Sequence, residues 1–202
     1  MISQKNTAII IPVRLQASRL PNKPLLDISG KPMIQHVWES AIASDLGRVV
    51  VATDSDEIAK CIESLGGDVC MTSENHQTGT DRMYEALQVI DPGRTIHYII
   101  NLQGDLPTIN SMALKKVVNL LSSGEDEIGT LVTQFERKED LKKEQFVKAV
   151  CNLSSGETES YAENFVRKQG DYDFKNLFHH IGIYAFKRDA LEKFVTLSQT
   201  DR

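Results

Sequence analysis

Short apolar runs recur along this chain, each followed by a stretch with helical spacing. Residues 8–13, 49–53 and 97–102 are rich in Ile and Val, apolar on both sides of the pleat, and read as buried strands, and 69–72 reads as a short one. Between them, 33–43 carries Met33, Val37, Trp38 and Ile42 at helical spacing. Asp54-Ser55 offers an N-cap, read at Asp54, to a helix over 57–65 that Gly66-Gly67 ends; Asp91-Pro92-Gly93 stops another over 80–90. Further on, 112–121 and 189–195 read as helices, and 128–135, 147–153 and 179–186 as strands. Strands alternating with helices predict an α/β fold, a mostly parallel sheet covered on both faces. The polar, turn-rich stretch 154–178 breaks this rhythm. It is expected as an excursion from the main layer, a mobile loop or a dimerisation segment of one domain spanning 1–202.

Composition narrows the class. A chain of 202 residues suits one α/β domain, and a net charge of −5 argues against a nucleic-acid partner. No apolar run approaches a membrane span, and the N-terminus does not read as a signal peptide, so a cytoplasmic protein is expected. Cys61, Cys70 and Cys151 lack zinc spacing and read as reduced thiols, the latter two in the core.

The candidate chemistry begins where the first strand stops. Pro12 ends the apolar run, and the loop behind it carries Arg14, Arg19 and Lys23 with no acid until Asp27. In an open α/β sheet ligands sit beyond the carboxyl ends of strands, where cations and turn N–H groups hold phosphates. Asn101-Leu102-Gln103-Gly104-Asp105 closes the strand over 97–102. Gly104 is expected to allow a tight turn, and Asp105 to stand at the same edge, where a carboxylate beside phosphates suits magnesium. Gln77, Thr78, Gly79 and Thr80 form a polar entry to a helix with Asp81 and Arg82 in its first turn, offering N–H groups to a ligand. Thr80 is the expected cap, and Arg82 the expected ligand contact. No G-x-G-x-x-G follows the first strand, and neither a Walker A loop nor a G-x-S-x-G elbow is present.

The residues themselves add a resemblance. Ile11-Pro12-Val13-Arg14, Ser18-Arg19-Leu20-Pro21-Asn22-Lys23-Pro24-Leu25 and the unbroken run Gly30 to Val37 resemble the signatures of 3-deoxy-manno-octulosonate cytidylyltransferases, the CMP-Kdo synthetases. His76 to Arg82 resembles the family's H-Q-S/T-G-T-E/D-R motif, and His180 lies in a segment resembling R-H-x-G-I-Y, with His179 where the family has Arg. Arg167 stands in a weaker match, with Val166 for a Ser and no Ile-Pro after it.

The resemblance implies a three-layer αβα sandwich of the nucleotide-diphospho-sugar transferase, glycosyltransferase-A-like type. It implies transfer of CMP from CTP to Kdo for lipopolysaccharide synthesis, with Mg²⁺ on Asp105, in a homodimer. Arg14, Arg19, Lys23 and Asp105 would be catalytic. Pro12, Ser18, Gln77, Thr78, Gly79, Thr80 and Arg82 would join the three cations in binding the nucleotide. Gln103, Arg167 and His180 would meet the sugar acid. The match stops at Thr200-Asp201-Arg202, ahead of strands and a second acidic segment that family members carry. A chain shortened at its C-terminus is therefore expected, with one magnesium carboxylate instead of two and an exposed sheet edge. Another sugar acid, of 8-amino-Kdo or sialic-acid type, or a non-catalytic CTP-binding relative are the alternatives.

Overall fold

The computed structural model describes residues 1–15 and 20–197. In chain order the elements are β1 (Thr7–Val13), β2 (Asp27–Ile28), β3 (Lys31–Pro32), α1 (Met33–Ala43), β4 (Arg48–Thr53), α2 (Asp56–Glu63), β5 (Asp68–Met71) and α3 (Gly79–Ile90). There follow β6 (Tyr98–Leu102), α4 (Ser111–Asn119), β7 (Ile128–Thr133), β8 (Lys148–Cys151), β9 (Ala162–Val166), β10 (Leu177–Lys187) and α5 (Arg188–Phe194). They gather into two compact units, 1–129 with 183–202, and 130–182; β7 and β10 each run from one into the other.

In the first unit β5, β4, β1 and β6 are parallel, and residues 183–187 of β10 close the β6 side antiparallel. All seven residues of β1 are buried, as a strand covered on both faces requires. Ala8, Ile10, Val50 and Ala52 pack on Met83, Ala86 and Leu87 of α3 and Leu191 of α5. Their neighbours Ile9, Ile11 and Val51 point the other way by the two-residue period, to the face where α1, α2 and α4 pack together. Each such fully buried side chain contributes about 1.5–3 kcal/mol by burial. This is the layered, mostly parallel architecture expected of the chain. No described helix is long and apolar enough to cross a membrane.

A buried ion pair fastens α5. Asp91, just after α3, accepts from Arg188 Nη1, from the Ile96 N–H at 2.8 Å and from the Thr95 N–H and hydroxyl at 3.0 and 2.8 Å. Arg188 also reaches Glu192, which Arg94 grips with both guanidinium nitrogens at 2.6 and 2.9 Å. Burial pushes the Asp91 carboxyl up, but the two N–H groups, the hydroxyl and Arg188 together overcome it and bring it down to about 2.

The second unit is smaller. β8 pairs antiparallel with residues 177–179 of β10 and with β9, the latter with a register shift between Val150 and Cys151. Leu141, Val150 and Leu177 form its core, flanked by Phe135 and Val166. Strand β9 lies inside the stretch expected to leave the main layer. Three of its five residues are exposed, Phe165 among them, so apolar positions do not mark its inner face, and the pairing with β8 makes it a strand. Cys70 and Cys151 are buried free thiols, as expected, while Cys61 is half-buried.

Candidate active site

The register of β1 explains where the first unit opens. β1 pairs with β4 as far as Val13, but with β6 only as far as Ile10. Pro12 therefore lacks an N–H where the β6 ladder has already ended, so it removes no bond there. β4 and β6 lie on opposite sides of β1, which makes the β1–β6 carboxyl edge a topological switch point. A cavity of about 470 Å³ sits there, lined by residues 12–14, 23–24, 76–79 and 103–105, together with Leu20, Met33 and Arg82.

Lys23 and Asp105 meet across this cavity at 2.8 Å, with side chains 35% and 56% exposed. Arg14 is exposed on its wall. Ser18 and Arg19 lie outside the described residues. Gly104 lies with Asp105 in a turn straight after β6, as expected, but at a φ outside the left-handed region. A Cβ there would stand 2.9 Å from Val13 Cβ, so close packing of β6 on β1 requires the glycine. Gly79 is similar in kind: its missing Cβ would lie 3.3 Å from Pro12 Cγ and 3.4 Å from Gln103 Oε1.

The helix entry is built by Thr78, not by Thr80. Thr78 Oγ1 accepts from the Asp81 N–H at 3.1 Å, and Asp81 Oδ2 takes the Thr78 N–H at 3.2 Å, a capping box that holds the start of α3. Thr80 instead accepts from Asn101 Nδ2 at 3.4 Å, and Asn101 Oδ1 accepts from Gln103 Nε2 at 3.0 Å. Gln77 is exposed and bonds the Asn75 carbonyl.

Arg82 lines the cavity floor at 3% exposure, with Nη2 on Asp54 at 2.6 Å and Nη1 on the Thr72 hydroxyl. Its guanidinium thus has two internal partners already. Asp54, expected as the cap of the second helix, serves Arg82, and Ser55 caps α2 by accepting from the Ile58 N–H. Two polar residues without an expected role belong to the surroundings of the site: His76 lines the cavity, and Asn101 bonds its lining residue Gln103. His76 bonds Glu85, whose carboxyl this bond and the Ser73 N–H hold below the usual range. Asn101, fully buried, links β6 to α3; an amide in the apolar run Ile99 to Leu102 is the signal it left in the sequence.

Arg167 and His180 belong to the second unit. Arg167 is exposed at the end of β9, with Nη1 on the Glu144 carbonyl at 3.2 Å. The His180 ring lies edge-on to Phe165 at 4.9 Å and bonds the Thr130 hydroxyl at 2.9 Å. Burial, and to a lesser degree His179, push its pKa down, so the imidazole is neutral near pH 7. His179 packs between Phe135 and Phe146, and burial lowers it too.

Residues 8–201 match the cytidylyltransferase family. The 3-deoxy-manno-octulosonate cytidylyltransferase of Brucella anthropi is 43% identical over 197 residues, 98% of this chain and 79% of that protein. This chain belongs to the 3-deoxy-manno-octulosonate cytidylyltransferase family. The relative of that name from Brucella canis is also 43% identical, with 78% of its length covered. The solved structure of a CMP:2-keto-3-deoxy-manno-octonic acid synthetase complexed with CTP superposes with a TM-score of 0.85 at 34% identity, covering 96% of this chain and 79% of that one. A 4-diphosphocytidyl-2C-methyl-D-erythritol synthase from Anaerococcus prevotii, at 14% identity and a TM-score of 0.62, shares the fold.

Proposed function

We propose that this member of the family transfers CMP from CTP to the anomeric hydroxyl of Kdo, releasing diphosphate and supplying CMP-Kdo for lipopolysaccharide synthesis. The observation that carries the reading is the cavity where Arg14, Lys23 and Asp105 converge beside the capped entry to α3. Its cations suit a triphosphate, and Gly79 lets backbone and ligand approach closely. Arg14, Arg19 and Lys23 offset charge on the triphosphate and on the departing diphosphate as the sugar hydroxyl attacks the α-phosphorus in line.

The donor set fits magnesium. Among the described residues no three His, Cys, Asp or Glu side chains cluster to cage a metal. One exposed carboxylate sharing the ion with substrate phosphates is how Mg²⁺ is commonly held. Asp105 would hold it, and when bound the ion supplies positive charge at the phosphate oxygens. Gln103 and neutral His180 would bond sugar hydroxyls, and Arg167 would pair with the Kdo carboxylate, a task suited to a planar guanidinium. With CTP as donor, we expect a cytoplasmic enzyme acting as a homodimer, the latter checked by light scattering.

The test is diphosphate release from CTP and Mg²⁺ with and without Kdo. Release that requires Kdo and is lost in Asp105→Ala is expected. CTP binding without release would overturn the reading, and faster turnover of 8-amino-Kdo or a sialic acid in competition would reassign the acceptor.

A further inference from the structure

Among the bulkiest fully buried side chains of the molecule is a lysine. Lys148, in β8, has no exposed surface. An ammonium in such a place is strongly unfavourable unless every N–H is bonded. Lys148 meets that condition, donating to the carbonyls of Lys143 at 2.7 Å, Phe146 at 2.9 Å and Arg167 at 2.6 Å. All three acceptors are main-chain oxygens, so the group orders backbone. Burial pushes its pKa down; the charge of Glu144 works against this, and that of Arg167 adds to it.

The three carbonyls come from two places, the turn over 143–146 and the end of β9. Lys148 draws both onto one point. Arg167 is then held twice against the same turn, its carbonyl by Lys148 and its guanidinium by the Glu144 carbonyl at 3.2 Å. An apolar residue at 148 could fill the space between β8 and β9. It could not fix the backbone from which Arg167 projects, and it would leave three carbonyls unmet.

We infer that Lys148 is a positioning residue for acceptor recognition: by clamping the Arg167 carbonyl it sets the guanidinium where it meets the carboxylate of the sugar acid. This rests on the reading of Arg167 as the partner of that carboxylate. A bidentate pairing depends on the plane and origin of the guanidinium, which is what the clamp controls.

Steady-state kinetics on Lys148→Met, Arg167→Ala and the double variant test it. Lys148→Met should raise the KM for Kdo on the order of tenfold while leaving the KM for CTP within about twofold. The double variant should be no worse than Arg167→Ala alone, because one residue acts through the other. An unchanged Kdo KM in folded Lys148→Met, or losses that multiply, would overturn the inference. An unchanged Kdo KM in Arg167→Ala would instead sink the reading of Arg167. Should Lys148→Met fail to fold, the unaltered protein still decides. Its protected ammonium can be followed by ¹⁵N NMR as Kdo is added with α,β-methylene CTP. A shift that disappears in Arg167→Ala is expected, and no shift in the unaltered protein refutes the clamp.

Discussion

Lys23 and Asp105 are partners across 82 positions of sequence, yet both are well exposed. Such pairs contribute about 0–1 kcal/mol, so the contact is easily exchanged for a better one. A triphosphate offers Lys23 more charge than one carboxylate does, and freeing Asp105 leaves it available to a metal. Lys23→Met should therefore leave the melting temperature nearly unchanged while raising the KM for CTP on the order of tenfold or more. Asp105→Asn should reduce kcat by roughly two orders of magnitude with folding intact, measured alongside circular dichroism. Gly104→Ala should behave oppositely, destabilising by about 1–3 kcal/mol in urea melts because its Cβ meets Val13.

Among the elements, α3 ties fold to site. Its capping box orders Thr78 beside Gly79 at the cavity wall. Thr78→Ala should lower stability by about 1 kcal/mol in denaturant melts and weaken CTP binding in the same protein. Most elements were legible from the sequence, since a fully buried parallel strand such as β1 and an amphipathic helix such as α1 each declare themselves by local pattern. β9 was not, because most of its residues are exposed, the apolar Phe165 included, and only a partner strand defines it. Cap assignments slipped by one or two residues, at Ser55 and Thr78, where adjacent polar side chains offer equivalent oxygens and tertiary partners choose between them.

For the molecule as a whole, the site's address was legible and its wiring was not. Arg14, Lys23, Gln103 and Asp105 gather as their place after β1 and β6 implies. Nothing local in the sequence pairs Arg82 with Asp54, or Asp91 with Arg188, because a charged residue carries no mark of its distant partner. The second pair governs acid stability. The Asp91 carboxyl stands near 2 in the fold against 3.8 ordinarily, so its contribution is complete above pH 4–5 and is lost as pH falls towards 2. That amounts to about 2 kcal/mol. Urea melts from pH 6 to pH 2 should show this loss, and Asp91→Asn, less stable at neutral pH, should flatten the profile.

The same pair has a meaning for a chain made from one end. Arg188 follows Asp91 by 97 positions, and β6 gains its outer neighbour only from residues 183–187. While the ribosome is still adding the segment between, the nascent sheet has a bare edge beside β6 and a carboxylate without its cation. Bare edges recruit other strands. This protein is thus most exposed to wrong association until residues 183–194 emerge, and a pause in translation ahead of them would prolong that interval.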